Sequence, residues 1–318
     1  MNMKKSRGKI SRQNNNRPRL AVQSIFTVLS NGYAKGFAEG GIFKGNSKAL
    51  CLPGLNCYSC PGALGSCPIG SLQATLGSQH FNVAFYVTGF LMLVGAFLGR
   101  LVCGWLCPFG LAQDLLYKIP FVAKLRKLPG DRFLKALKYI LLGLFVILLP
   151  MVVLDIVGQG SPWFCQYVCP SGTLMAGIPL IILNDGLRAA IGWLYAWKLL
   201  LLAIVILLSL LVYRPFCRYV CPLGAIYGFF NPISLYRYRV DDDKCIRCGK
   251  CQSSCKLDIP TYEKPNSPEC IRCGDCKKAC PTGAICSSIA CKGGAAGKPV
   301  AAEPTKRIDK RTSQDEAT

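Results

Sequence analysis

The chain combines 318 residues, a formal net charge of +22 and 51% hydrophobic residues, a mixture that a single soluble domain rarely shows. The charges must therefore be segregated along the chain. Cysteine is abundant, with 20 residues, but there is one histidine, His80. A bis-histidine haem, a Rieske centre and a zinc hydrolase with several imidazoles are excluded, because each needs more histidine ligands. No C-x-x-C-H motif for covalent haem occurs either, so the chemistry of this chain is expected to depend on sulfur.

The chain begins with a basic segment, residues 1–19, that contains seven Lys or Arg and no acidic residue. Apolar stretches near the ~20 residues that a helix needs to cross a bilayer follow at 20–37, 81–99, 137–157 and 194–213. The first is the weakest because it contains several polar residues, and a basic segment before it is also typical of a cleaved signal peptide. Pro150 is expected to kink the third helix. The stretch 174–183 is too short to span and predicts a half-helix or an interfacial segment.

The basic residues are distributed in a way that fits four crossings. With the N-terminus inside, 33 of the 38 Lys and Arg fall on one side of the membrane. Short loops rich in Lys and Arg stay in the cytoplasm, so the N-terminus, the loop 100–138 and the residues after the last helix are predicted to be cytoplasmic. Nucleic-acid binding is the competing explanation of such a basic chain, and the fit to a membrane topology disfavours it. The sequence therefore predicts a multi-pass protein of the cell membrane that does not bind nucleic acid.

A polar, cysteine-rich module is predicted at residues 240–286. It contains two C-x2-C-x2-C-x3-C runs, a repetition typical of bacterial two-cluster ferredoxins, in which the fourth cysteine of each run binds the cluster of the other. One 4Fe–4S cluster is therefore predicted on Cys245, Cys248, Cys251 and Cys280. The second is predicted on Cys270, Cys273, Cys276 and Cys255. Structural zinc is disfavoured because its sites use two C-x2-C pairs, and disulfides are disfavoured because the module is expected to be cytoplasmic.

Cysteine pairs also follow the second and fourth predicted helices. Cys103 and Cys107 form one C-x3-C-P-x-G motif, and Cys217 and Cys221 form another, both at the expected cytoplasmic end. Cysteines four residues apart lie on one face of a helical turn, which the following proline ends or kinks. Two such pairs on one membrane face are expected to converge on a single site with four thiolates, a candidate for a third cluster. Buried inert thiols are the alternative.

Six further cysteines are predicted to lie on the outer side, namely Cys51, Cys57, Cys60 and Cys67 in one loop and Cys165 and Cys169 in a third C-x3-C-P motif. Disulfides are the ordinary state of cysteines on an oxidising side. An outer cluster, for example from Cys60, Cys67, Cys165 and Cys169, is the alternative, and working thiols are another. Because the order of helix, outer cysteines, helix and inner C-x3-C-P occurs twice, a parallel internal repeat is predicted.

The predicted fold is therefore an α-helical integral membrane protein with about four transmembrane helices, followed by an α+β ferredoxin domain of the bacterial two-cluster type. Four parts are expected: the cytoplasmic N-terminus 1–19, the membrane domain 20–239, the ferredoxin module 240–286 and a disordered tail 287–318. The tail is assigned because it has no apolar periodicity.

Residues from about 20 to 285 resemble the membrane polyferredoxins of the NapH, NosR and CcoG type. The resemblance lies in the inner C-x3-C-P motifs after membrane helices and in the two-cluster ferredoxin module that follows them. The resemblance implies a protein that passes electrons among quinols, cytoplasmic donors and an extracytoplasmic acceptor. It implies clusters on the cysteines from Cys245 to Cys280 and redox importance for the two inner pairs. The flavin-binding domain of NosR has no counterpart in this sequence, so a flavin is expected only on a partner. The outer cysteine-rich loop exceeds what a minimal NapH-type protein needs.

The sequence thus predicts an iron–sulfur electron relay with two 4Fe–4S clusters, and one or two further clusters are candidates. Flavin-binding or quinone-linked redox proteins are the expected partners. A basic surface on the module would steer an acidic partner protein towards it. The residues of this basic surface are Lys244, Arg247, Lys250, Arg272, Lys277 and Lys278.

No catalytic residue is predicted, because no acid–base, nucleophilic, Walker or Rossmann pattern is found. Two other functions stay open: an assembly factor that reduces a metal or a disulfide through the outer cysteines, and an anchor for a soluble oxidoreductase.

Overall fold

The computed structural model describes residues 17–78, 81–120, 124–153, 160–189 and 191–289. Most of the basic segment 1–19, His80 and most of the tail 287–318 lie outside these residues, and so do the predictions made for them. Within the described residues the chain is mainly helical, with one pair of short strands.

The α-helices are arranged along the chain in two halves. The first half contains α1 (Arg17–Ser30), α2 (Ala34–Glu39), α3 (Pro68–Leu76), α4 (Phe81–Leu98), α5 (Leu101–Trp105), α6 (Pro108–Lys118), α7 (Asp131–Leu141) and α8 (Leu149–Val152). The second half contains α9 (Pro170–Gly172), α10 (Ile178–Leu183), α11 (Asp185–Ala189), α12 (Trp193–Leu211), α13 (Pro215–Tyr219), α14 (Pro222–Phe230), α15 (Lys250–Ser254) and α16 (Asp275–Ala279). A 3-10 turn covers Asn46–Ala49, and π-helices cover Leu142–Leu148, Phe164–Val168 and Thr173–Gly177.

Two helical stretches of the described residues, Asp131–Val152 and Trp193–Leu211, are long and apolar enough to cross a membrane, with mean hydropathies of 2.0 and 2.5. They correspond to the third and fourth predicted spans, and the third begins earlier than its apolar core. The irregularity expected at Pro150 takes the form of the π-helix Leu142–Leu148 just before it. Because proline cannot donate a hydrogen bond to the preceding turn, a π turn changes the register of the bonds that remain.

The first predicted span, 20–37, is divided in the structure between α1 and the short helix α2, so it does not form one continuous helix. Helix α1 ends at Ser30, and the Asn31 side-chain amide donates a hydrogen bond of 3.0 Å to the Thr27 carbonyl, which caps the last turn. With 14 residues, α1 rises about 21 Å, less than the ~30 Å hydrocarbon core of a bilayer. The second predicted span corresponds to α4, within which Phe85–Leu98 forms a shorter apolar helix.

The same succession of elements occurs in both halves. Helix α4 leads through Gly99, with φ +52°, into α5 and α6, and α12 leads through Arg214, with φ +50°, into α13 and α14. In α6 and α14 the second cysteine of the C-x3-C-P-x-G motif is the N-cap and the proline follows inside the first turn. Proline fits there because the first helical N–H has no intrahelical partner. The two inner motifs are therefore built in the same way.

The cysteine-rich module is closed by two strands, β1 (Tyr238–Val240) and β2 (Ile285–Ser287). They pair antiparallel, with Tyr238 opposite Ser287. The short helices α15 and α16 pack against each other. They begin after Gly249 and Gly274, whose φ angles of +70° and +85° are accessible to glycine at little cost.

The buried core is continuous between the helical region and the module. Cys51, Cys67, Cys103 and Cys217 share one cluster of buried apolar residues with Ile271 of the module. The module is thus packed against the helices rather than tethered to them.

Candidate metal centres

Sixteen of the free cysteines in the described residues fall into four groups of four by the cavity they share or by the charges they exert on one another, and Cys51 and Cys60 are not members of these groups. Group 1 consists of Cys245, Cys248, Cys251 and Cys280, and group 2 of Cys255, Cys270, Cys273 and Cys276. The inner group consists of Cys103, Cys107, Cys217 and Cys221, and the outer group of Cys57, Cys67, Cys165 and Cys169.

The cysteines of group 1 line one cavity of the module together with Tyr262 and Thr282. The Thr282 hydroxyl lies 3.6 Å from the sulfur of Cys280. The cavity is formed because Arg247, between the first two cysteines of the run, adopts a left-handed conformation with φ +49°. This turn brings both cysteines to the same side of the chain, as does its counterpart at Arg272, with φ +53°.

Group 2 takes three cysteines from the second run and Cys255 from the first. Burial, and then charge from Cys255, raises the pKa of Cys270 to about 11. Burial, and then charges from Cys270 and Cys255, raises the pKa of Cys276 to about 12. Each group of the module therefore contains three cysteines of one run and the fourth cysteine of the other.

The inner group brings the two C-x3-C-P-x-G motifs together in the core. Its four residues are between 4% and 6% exposed. Burial, and then the charges of the other three thiols, raises the pKa of Cys221. Gln113 donates a hydrogen bond of 3.2 Å to the sulfur of Cys217, and its carbonyl oxygen accepts one of 3.2 Å from the Phe216 N–H. The negative charge of each thiolate raises the pKa of its neighbours and so disfavours their ionisation. Four thiolates in one buried group therefore need a compensating positive charge.

Glycine is favoured in the C-P-x-G turns because an added Cβ atom would crowd the first cysteine of the same motif and the arginine of the other half. The Gly110 N–H donates to the sulfur of Cys107 at 3.4 Å, where a capping oxygen would otherwise accept. A Cβ atom at Gly110 would lie 3.2 Å from the Cys103 carbonyl oxygen, and one at Gly224 would lie 3.1 Å from that of Cys217. The helix N-terminus and this N–H both favour the thiolate form.

Two buried arginines, which the sequence reasoning missed, cross between the halves. Arg100 donates a hydrogen bond of 2.9 Å to the Cys217 carbonyl, and Arg214 donates one to the Cys103 carbonyl. Arg214 also binds both carboxylate oxygens of Asp114, at 2.6 and 2.7 Å. Arg100 pairs with Glu269 of the module at 2.9 Å. The signal is present in the sequence, because R-x2-C-x3-C-P-x-G occurs with the same spacing in both halves.

The outer group joins Cys57 and Cys67 of the first loop to the third C-x3-C-P motif. Burial, and then charges from Cys169 and Cys57, raises the pKa of Cys67 to about 12. Cys57, rather than the Cys60 expected from the sequence, is the fourth member. The sulfur of Cys60 accepts backbone N–H groups of its own turn and is next to Lys48.

The module is held with group 2 against the inner motif. Arg272, expected on a basic surface, is 1% exposed and donates hydrogen bonds of 2.8 Å to the carbonyls of Leu98 and Asn231. Asn231 in turn donates to the Cys270 carbonyl at 2.8 Å. A Cβ atom at Gly104, inside the first inner motif, would lie 2.3 Å from the Ile271 carbonyl oxygen. Arg272 is therefore a docking residue, and the prediction that it belongs to a solvent-facing basic surface is wrong.

The donor sets fit iron–sulfur clusters. Each group offers four thiols, and hydrogen bonds from backbone N–H groups and side-chain amides to sulfur are the contacts that tune such clusters. Within the described ranges, no three His, Cys, Asp or Glu side chains are arranged to hold a single metal ion. A cubane binds its thiolates through different irons, so its ligands stand farther apart than those of one zinc ion.

Comparison with protein families connects these motifs with iron–sulfur binding. A family described as a 4Fe-4S binding domain matches residues 83–129, 139–181 and 193–236. Each matched segment contains one C-x3-C-P motif of this chain. All three matched segments lie before the C-terminal runs, so the match supports iron–sulfur binding at the helical motifs, and the protein is an iron–sulfur protein.

Curated proteins of similar sequence include an uncharacterized protein and two that are named as ferredoxin-type proteins. An uncharacterized protein of Methanocaldococcus jannaschii is 31% identical over 57% of this chain and 62% of its own length. The methylamine utilization ferredoxin-type protein MauN of Methylorubrum extorquens is 30% identical over 52% of this chain and 50% of its own. The ferredoxin-type protein NapH of Haemophilus influenzae is 29% identical over 57% of both chains. The chain thus spans about half to two thirds of the length of these relatives, and no solved structure matches it.

Proposed function

We propose that this chain, a relative of the NapH-type polyferredoxins, relays single electrons between a cytoplasmic redox protein at its module and the quinone pool or an acceptor on the outer side of the cell membrane. The observation that carries the proposal is the docking of group 2 against the inner group through Ile271 and Gly104. A 4Fe–4S cluster held by such thiolates supplies a one-electron carrier. A rigid contact between two such sites is what a relay needs and what a mere anchor does not.

The ligands proposed for the module are those of groups 1 and 2, and the inner group is proposed to hold a third cluster. Arg100 and Arg214, each 1% exposed, favour the charged form of the inner thiolates and so oppose the effect of burial. These arginines also fix the carbonyls of Cys217 and Cys103, so that the two motifs keep one geometry. Burial of the site excludes water, which helps to set the reduction potential.

The proposed topology has four crossings, with the N-terminus and the module in the cytoplasm. Arg19, at the start of α1, pairs at 2.8 Å with Asp114 next to the inner group. The other end of α1 reaches the loop that carries Cys57 and Cys67, since the Leu64 N–H donates to the Ser30 carbonyl at 3.0 Å. Helix α1 with the segment after it makes the first crossing, and α4, Asp131–Val152 and α12 make the others. The distribution of Lys and Arg supports this orientation.

A partner in the cytoplasm would bind near group 1. Cys248 is exposed there, and so are Arg247 and Lys250. Exposed cations around an accessible redox site accelerate association with an acidic protein, and the effect weakens with salt. The partner is therefore proposed to be an acidic flavin- or iron–sulfur-containing protein.

The experiment that tests the relay uses the full chain in vesicles with the module facing outwards. A membrane-impermeant reductant is added outside, and reduction of quinone in the bilayer or of ferricyanide trapped inside is followed. The wild type and Cys51→Ser, a cysteine outside the four groups, are expected to transfer electrons at similar rates. Cys217→Ser is expected to be slower by at least an order of magnitude. Equal rates for Cys217→Ser and the wild type would instead support the anchor function.

A further inference from the structure

The outer group has the same construction as the inner group, although its cysteines are spaced differently in the sequence. In the inner group, Gln113 lies six residues after Cys107 and binds the segment Phe216–Cys217. In the outer group, Gln73 lies six residues after Cys67 and binds the segment Phe164–Cys165. The spacing C-P-x-G-x-x-Q is shared, and so is the Phe-Cys dipeptide that the glutamine contacts.

The hydrogen bonds at the two glutamines correspond atom by atom. Gln73 donates to the sulfur of Cys165 at 3.3 Å, and its carbonyl oxygen accepts from the Phe164 N–H at 2.9 Å. Gln73 is 0% exposed and Gln113 is 1% exposed. A buried amide that fixes the orientation of a cysteine sulfur in both places indicates that both sulfurs face a bound group.

The glycines of the outer C-P-x-G turns border the same small space. A Cβ atom at Gly70 would lie 3.8 Å from the sulfur of Cys165 and 3.9 Å from the Cβ of Cys67. A Cβ atom at Gly172 would lie 3.7 Å from the sulfur of Cys57 and 3.8 Å from the Lys198 ammonium. Cys57, Cys67 and Cys165 therefore border one site, and Cys169 begins the turn that contains Gly172. Lys198 supplies a positive charge beside the site, as the arginines do in the inner group.

We infer that Cys57, Cys67, Cys165 and Cys169 bind an iron–sulfur cluster of the cubane type, and that Cys51 and Cys60 are not ligands. This inference adds a cluster site to the proposed electron relay. Only the role of that cluster in electron transfer rests on the proposed function. It assigns the outer cysteines to cofactor binding rather than to disulfides or working thiols. The additional cysteine-rich loop of this chain thereby has a function, because it supplies two of the four ligands.

The outer site has a direct connection to the inner one through the loop 51–67. A Cβ atom at Gly54 of this loop would lie 3.0 Å from the Cα of Cys107. Tyr227, which is 0% exposed, donates a hydrogen bond of 3.1 Å to the Pro53 carbonyl. Tyr227 shares one cluster of buried residues with Cys103 of the inner group and Cys67 of the outer group. Tyr227 therefore lies between the two groups, where an electron would pass.

The test compares iron and acid-labile sulfide in the full chain purified anaerobically as wild type, Cys57→Ser, Cys165→Ser and Cys60→Ser. Cys57→Ser and Cys165→Ser are expected to lose about four irons per chain relative to the wild type, since one cubane holds four. Cys60→Ser, a matched control from the same loop, is expected to keep them all. Unchanged iron in Cys57→Ser and Cys165→Ser, or loss of one zinc instead, would overturn the inference.

A second measurement does not depend on the folding of any variant. The wild type is denatured anaerobically with an alkylating reagent and without reductant, and labelled cysteines are identified by mass spectrometry. If these cysteines are cluster ligands, Cys57, Cys67, Cys165 and Cys169 become labelled without reductant. Disulfide-bonded cysteines would stay unlabelled until they are reduced, and that result would overturn the inference. Failure of the proposed relay is distinguishable, because it would be seen in Cys217→Ser and would leave the outer iron unchanged.

Discussion

At the scale of single residues, glycine and arginine determine how the two halves meet. Gly224 allows the turn after Cys221 to approach Arg100, whose Nη2 would lie 3.0 Å from an added Cβ atom. Arg100 in turn holds the Cys217 carbonyl. A methyl group at position 224 must therefore displace Arg100, the residue that fixes the first cysteine of the same motif.

Gly224→Ala is expected to destabilise the protein by about 1–3 kcal/mol, the usual cost of overpacking a filled core. Iron bound by the inner group should be lost, about four atoms per chain. Iron analysis and thermal unfolding in detergent measure both effects. Gly89→Ala is the control, because an added Cβ atom there meets nothing within 4 Å. Full iron content in Gly224→Ala would contradict this explanation of the C-P-x-G turn.

Asp114 is the buried acid on which the second arginine depends. Burial alone would raise its pKa, but the guanidinium groups of Arg214 and Arg19 lower it below the ordinary value. A carboxylate with a lowered pKa in the folded state contributes stability above the ordinary carboxyl pKa. That contribution is lost as the pH falls through the lower folded value.

Asp114→Asn is expected to cost about 3–5 kcal/mol, because it leaves two buried guanidinium groups without their carboxylate. Its unfolding temperature should also depend less on pH than that of the wild type below about pH 4, where an ordinary aspartate becomes protonated. Thermal unfolding across an acidic pH series tests both points. The same acid dependence in Asp114→Asn and the wild type would show that another group is responsible.

At the scale of elements, the proposed relay depends on the contact between the module and α5. The loop between Cys270 and Cys273 lies against Gly104, and the Trp105 indole N–H donates to the Arg272 carbonyl at 3.1 Å. Glu269 adds ion pairs to Arg100 and to Lys138. The interface is therefore both close and charged.

Gly104→Ala is expected to loosen this contact while the module keeps its iron, because the added methyl group would meet the Ile271 carbonyl oxygen. Electron transfer from the module to the inner group should become slower by an order of magnitude or more. Rapid-mixing spectroscopy of reduced protein measures the rate, and iron analysis verifies that the module is loaded. A wild-type rate in Gly104→Ala would mean that the transfer does not use this interface.

At the scale of the whole molecule, the sequence predicts the cysteine motifs well, but it predicts less well which cysteines of different motifs come together in one group. The Cys-rich runs and the two inner motifs can be recognised because their spacing is local and their ligands are few. The pairing of Cys57, rather than Cys60, with Cys165 depends on how a loop folds back, which spacing does not encode. The break of the first apolar stretch at Asn31 depends on a cap and on contacts with Gly62, which hydropathy does not detect.

The central claim is that a continuous series of cluster sites runs from the cytoplasmic module through the inner group to the outer group. The most direct test is the amount of iron and acid-labile sulfide per chain in the full protein, purified anaerobically in detergent. Four cubane sites predict about 16 irons and as many sulfides. A value of about 8, or bound zinc with little iron, would confine clusters to the module or exclude them, and would contradict the account.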